Sequence, residues 1–167
     1  MGIKIKLPDE LMNQLKEFDR HTDDIMEKAL TAGAKIAEKQ AKENLKAVIG
    51  SGTKLPSDST GQLLGTLGTS PAMKNKDGWD VRVGFAEPRK KKSGATTYKH
   101  KTKGKGLSEY QYTNAMVANI LEYGSAQHNQ APRPFMKPAE DATKKEARAE
   151  IKRVFDEEAR KYLKTKG

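Results

Sequence analysis

The chain has 167 residues, 35% hydrophobic and 32% charged, with 32 Lys and Arg against 22 Asp and Glu for a formal net charge of +10. This length can bury one sizeable core, so one domain spanning 1–167 is expected, and the charge surplus suits contact with a polyanion or an acidic protein surface. The absence of cysteine excludes disulfides, thiolate zinc sites and cysteine nucleophiles.

The opening MGIKIKLPDEL holds too short an apolar run for a signal peptide. Lys6 stands where a myristoylation signal needs Ser or Thr, and no apolar stretch nears the ~20 residues that span a bilayer. A soluble protein without a lipid anchor is expected. Residues 9–49 read as one long helix, or two with a slight break, because Leu11, Leu15, Phe18, Ile25, Ala29, Ala32 and Ile36 recur on one helical stripe. Pro8 and Asp9-Glu10 suit its first turn, and Gly50-Ser51-Gly52 ends it. The stripe is narrow and rich in Ala, which predicts packing across a flat surface such as a sheet.

Residues 51–62 are Gly-, Ser-, Thr- and Pro-rich and predict a loop. In DGWDVRVGFA, Trp79, Val81, Val83 and Phe85 alternate with Asp80, Arg82 and Gly84, the period of a half-buried strand. Asp77-Gly78 predicts the turn of a hairpin whose other arm is LLGTLGTSPAMKN. Residues 87–113 change character: Arg89, Lys90, Lys91, Lys92, Lys99, Lys101, Lys103 and Lys105 against Glu87 give +7 between 87 and 106. With no branched apolar residue before Leu107, the segment predicts a mobile basic loop within the domain. Met116, Val117, Ile120 and Leu121 predict a short helix over 114–123, with a strand as the alternative. A charged amphipathic helix follows over 138–164, with a stripe of Ala142, Ile151, Val154, Phe155, Ala159 and Tyr162. The predicted fold class is α+β: a long N-terminal helix and a C-terminal helix packed on one face of a small antiparallel sheet, with a long basic loop.

No catalytic, cofactor or metal site emerges. His21, His100 and His128 lie far apart in polar surroundings, without metal-ligand spacing, and read as solvated side chains. GSGTKLPSDST lacks the Gly-Lys-Ser/Thr ending of a phosphate loop and follows a helix where a strand is required. Asp23-Asp24 and Glu157-Glu158 are adjacent on helices and point apart. The eight cations of the basic loop, interleaved with Tyr98 and Tyr110, can follow a phosphate backbone, remain solvated, or order on an acidic neighbour. Lysine predominates over arginine, which favours diffuse attraction over base reading.

The stretch ILEYGSAQHNQAPRPFMKPAED, residues 120–141, places an acid at the end of an apolar segment and frames Arg133, Phe135 and Met136 with prolines. Pro134 and Pro138 push their predecessors towards extended geometry. A rigid approach to the last helix is expected, with Phe135 and Met136 buried and Glu122 ion-paired with Arg133.

Ala118, Glu122, Tyr123, Gly124, Ser125, Pro134, Phe135, Pro138 and Ala139 together resemble the signature of the phage tail-completion, or head–tail joining, family named after gene product ten of a lambdoid long-tailed phage. Thr60, Gly61 and Leu63 resemble its Thr-Gly-x-Leu segment, and WDVRVGF its strand. The resemblance covers most of the chain, its specific part being 118–139. Departures are Ser125 in place of the commoner Thr and the lysine-rich insertion at 87–106. The resemblance implies a non-enzymatic structural protein of a tailed phage or prophage, a siphophage tail-completion or neck subunit. It also implies assembly in the host cytoplasm and a homo-oligomeric ring in the virion, at the head–tail junction or tail end, with connector and tail proteins as its neighbours and nonspecific contact with DNA. The alternative reading is a nonspecific nucleic-acid-binding protein acting through the lysine-rich loop.

Overall fold

The computed structural model describes residues 9–51, 61–76, 78–86, 98–101, 107–110, 113–126 and 129–163. In chain order the elements are helix α1 (Asp9–Val48), helix α2 (Gln62–Thr66), strands β1 (Leu67–Thr69), β2 (Met73–Asn75), β3 (Gly78–Asp80), β4 (Val83–Phe85), β5 (Tyr98–Lys101) and β6 (Leu107–Tyr110), then helices α3 (Asn114–Tyr123) and α4 (Met136–Leu163). The class is α+β, as the sequence predicts. Among the described residues the β content is three two-stranded ladders, β1 with β4, β2 with β3 and β5 with β6, where one sheet was expected.

The predicted strand over 79–85 is interrupted at Val81-Arg82. Its first part, β3, forms the expected hairpin with β2, antiparallel with Asn75 opposite Gly78; Asp77 lies outside the described residues. Its second part, β4, turns to β1. Ser70 N–H donates to Arg82 O at 2.8 Å and Ala86 N–H to Thr66 O at 2.9 Å, an antiparallel register at the two ends of that ladder. Within the stretch expected to be a mobile basic loop, residues 98–101 and 107–110 are paired antiparallel, Tyr98 opposite Tyr110 and Lys99 opposite Glu109. Arg89, Lys90, Lys91, Lys92, Lys103 and Lys105 lie outside the described residues.

The contacts gather into two compact units, each with its own buried residues. The first draws on the described residues within Met1–Ala37, Thr69–Arg82 and Thr143–Gly167. Here α1 meets α4 antiparallel, burying Ile25, Ala29 and Ala34 with Thr143 and Ala159. The Ala-rich stripe of α1 thus serves a helix, where a sheet was expected. The reason is Gly33: an added Cβ would sit 2.4 Å from Ile151 Cγ1 and 2.9 Å from the Ala147 carbonyl oxygen. No side chain can occupy that approach. Gly33→Ala is expected to cost about 1–2 kcal/mol net, overpacking outweighing the better helix propensity of Ala. Urea midpoints check this, with a smaller cost expected when Ile151→Ala is already present.

Further along the same pair, Lys28 donates to Glu158 at 2.8 Å and Lys161 donates to the other oxygen of the same carboxylate. His21 stacks on Tyr162 with centroids 4.1 Å apart, so this histidine is held against a ring where a solvated one was expected. The hydrogen bonds from Lys161 and then Lys28 hold the Glu158 carboxyl below its ordinary range, against the opposing effect of burial. A depressed carboxyl contributes stability that is present above its unfolded pKa and lost as pH falls through the folded value. Acidification below the ordinary glutamate range should therefore weaken wild type more than Glu158→Gln, read as the change in urea midpoint between neutral and acid pH.

The second unit comprises the described residues within Glu38–Gly68 and Val83–Ala142. Its core joins Ala41 and Leu45 of α1, Leu63 of α2, Leu67 of β1, Ala118 and Leu121 of α3, and Ala139 of α4 around Phe135. Phe135 is 0% exposed and meets Phe85 edge-on at 6.1 Å. Gly61, at φ 72° before α2, supplies the left-handed turn that brings Leu63 into this core. The stripe of α4 begins one position off the predicted phase: Ala139 and Thr143 are buried and Ala142 is exposed.

Candidate functional site

The residues singled out at 118–139 meet at one place in the second unit, where three helices end. A helix leaves its first four N–H groups without internal partners. At α4 these belong to Phe135, Met136, Lys137 and the residue at 138. The buried Glu122 carboxylate, at the end of α3, accepts from Phe135 N–H at 2.8 Å and Met136 N–H at 2.9 Å through one oxygen. Its other oxygen accepts from Lys137 N–H at 2.9 Å. The fourth position is Pro138, which has no N–H to satisfy. Every early donor of α4 is thereby accounted for, and the negative charge sits at the positive end of the helix dipole.

Arg133 serves two other helix ends. Its guanidinium Nη1 donates to Val48 O at 3.2 Å and Ser51 O at 2.7 Å, closing the C-terminus of α1. Its backbone N–H donates to Leu121 O at 2.7 Å, at the end of α3. The expected Glu122–Arg133 ion pair is not formed. Each charge instead meets the backbone dipoles of opposite sign, an N-terminus for the acid and a C-terminus for the base. Asn44 of α1 adds a bond from Nδ2 to Phe135 O at 3.1 Å.

The turn between α3 and Arg133 depends on Gly124. Its φ is 77°, and an added Cβ would lie 2.6 Å from Gln130 O and 2.9 Å from Pro132 N. Ser125 and Gln130 exchange backbone bonds across the turn at 2.8 and 2.9 Å. At its other end α3 is capped by Thr113, whose Oγ1 accepts from Met116 N–H at 3.1 Å. Asn114 is fully buried and donates from Nδ2 to Ala86 O at 2.8 Å, leaving its Oδ1 buried without a hydrogen-bond partner.

The expected site residues therefore divide. Glu122, Gly124, Phe135 and Pro138 share the clasp, with Pro134 in the extended segment between Arg133 and Phe135 and itself exposed. Tyr123 is turned outward and 76% exposed. Of the basic residues, Lys99 and Lys101 lie on β5, apart from the clasp in sequence and element. Arg133 as a capping residue was missed, and so was Asn114. Among the described residues no group of His, Asp and Glu is placed to hold a metal ion, and no helix is long and apolar enough to cross a membrane.

Each charged group of the clasp is engaged by backbone, which makes it a mechanical joint between helices. The family described as "Bacteriophage HK97-gp10, putative tail-component" matches residues 9–124, the clasp's Glu122 and Gly124 included. The chain belongs to this HK97-gp10-like family, and with it to the structural components of phage tails. No curated protein and no solved structure matches it.

Proposed function

We propose that the protein completes the tail of a tailed phage at the head–tail junction, as a non-enzymatic subunit that packs side by side with its own copies in a ring. The clasp carries this reading. Glu122, Arg133 and Phe135 lock three helix ends into one stiff corner, the kind of fixed edge on which a symmetric assembly can repeat a contact. Membership of a phage tail-component family supports the setting. Its neighbours there are the connector and tail proteins on either side. Deleting the gene from the phage should leave filled heads and tails unjoined, restored by the gene in trans. Joined, infectious particles without the protein would overturn the reading.

A second reading rests on the +7 carried between residues 87 and 106. This segment contacts DNA passing the junction, or an acidic neighbour, by diffuse attraction. DNA affinity should then fall steeply as salt rises, and replacing Lys90, Lys91, Lys92, Lys101 and Lys103 by Gln should abolish it. Absence of binding at low salt would eliminate DNA as the partner.

A further inference from the structure

Two rows of equally spaced charge stand on the helices of the first unit. On α4, Lys144, Arg148 and Lys152 recur every four residues, and on α1 Asp19, Asp23 and Glu27 recur at the same interval. Residues four apart share a helix face, so each row is a line of one sign about 12 Å long. All six side chains are exposed. Other charges on these helices are met locally: Lys137 by Glu140 and Asp141, Arg153 by Glu150 and Glu157, and Glu158 by Lys28 and Lys161. Of the six, only Asp23 has an ion-pair partner among the described residues. That partner is Lys74 at 3.0 Å, and both side chains of the pair are exposed.

The rows match in sign and period, yet the fold holds them apart. In the antiparallel pair of α1 and α4, His21 meets Tyr162 and Lys28 meets Glu158, whereas Gly33 meets Ala147 and Ile151. The acid row therefore lies level with the end of α4, and the basic row lies beyond it, level with the residues around Gly33. The offset along the pair is about 20 Å. That is more than twice the roughly 8 Å screening length at physiological salt. Neither row can satisfy the other within one chain.

We infer that the acid row of one copy meets the basic row of the next, and that this contact sets the register between neighbours in the ring. It rests on the ring proposed above and names the surfaces that repeat in it. Because α1 and α4 are antiparallel within a copy, side-by-side copies set α1 of one antiparallel to α4 of the next. Asp19 then faces Lys152, Asp23 faces Arg148 and Glu27 faces Lys144. The contact is heterologous, joining two different surfaces, and it repeats in one direction until the ring closes. Exposed ion pairs add little affinity. Their effect is discrimination, since a neighbour offered the wrong way round brings like charges together. Closure supplies the hold, because each subunit is then bound on two sides at once.

The chain has no cysteine, so disulfide trapping reads this contact against a clean background. The full chain carrying both Asp23→Cys and Arg148→Cys is oxidised in solution and in joined particles. A ladder of covalent multimers is expected, because every copy offers both halves of the bond. The two positions lie too far apart to close within one copy. Neither substitution alone should give a ladder. On the doubly substituted chain, Lys144→Glu with Lys152→Glu should reduce the ladder at least about tenfold, and so should Asp19→Lys with Glu27→Lys. All four together should restore it, with circular dichroism confirming the fold of each variant. Joined particles that contain the protein but yield no ladder would overturn the contact and leave the ring reading standing. A ladder indifferent to reversing one row, or not restored by reversing both, would overturn it as well. Infectious particles joined without the protein would remove the ring reading and this contact together.

Discussion

Glu122→Ala is expected to destabilise the protein by about 3–5 kcal/mol, the cost of removing one partner from a buried charged network. The carboxylate accepts three backbone N–H bonds at 2.8–2.9 Å from a position 7% exposed. Loss of a helix cap costs ~1 kcal/mol. Charge at a partly buried helix end adds up to ~2 kcal/mol. The orphaned donors, desolvated and without an acceptor, account for the remainder. Glu122→Gln keeps an acceptor oxygen of similar reach and should cost less, about 1–2 kcal/mol. Urea unfolding followed by circular dichroism gives both values, and amide exchange at Phe135, Met136 and Lys137 locates the damage. An unchanged midpoint for Glu122→Ala would show that the clasp contributes nothing to stability.

Phe135→Ala should be as severe, about 3–5 kcal/mol, as for other large-to-small changes in packed cores. Phe135 is fully buried, and its ring fills the space among Leu45, Leu121 and Phe85. Truncation leaves a cavity there and removes the edge-on contact with Phe85. Phe135→Leu should recover most of the loss, since it nearly conserves apolar volume. The two sites share a hydrogen bond, Phe135 N–H to Glu122, so Glu122→Ala with Phe135→Ala should cost less than the sum of the singles. Domains of this size hold only about 5–15 kcal/mol in all. Either single variant leaves little margin, and assembly defects should appear alongside lower midpoints.

The three long or regular helices were legible because helical periodicity is a local signal. Leu121 and Ala118, or Ile25 and Ala29, declare a face without reference to the rest of the chain. The role of Glu122 was not legible in that way. It lies 13 to 15 residues before the N–H groups it serves, and nothing local distinguishes a capping carboxylate from one partner of an ion pair. Arg133 misled for the same reason: opposite charges invite pairing, whereas buried backbone groups left open at three helix ends were the stronger demand. Gly33 sat unmarked in an Ala-rich stripe, because its meaning depends on Ile151 more than a hundred residues later. The strand over 79–85 changed partners at Val81-Arg82, a tertiary choice that period-two patterning does not encode, and its residues are partly buried on both sides of the break. The family signature, by contrast, held four residues of the clasp, Glu122, Gly124, Phe135 and Pro138, in one short stretch, and it pointed to the phage tail.

Pro138 and the borrowed carboxylate have a consequence for the order of events during synthesis. Residues 136–163 leave the ribosome after α3, and the first N–H groups of their helix are served by Glu122, a residue of α3. Cut free as a peptide, α4 should fray from its first turn. In the nascent chain, α3 has already emerged when Phe135 appears, so the final helix can grow from a template that is waiting for it.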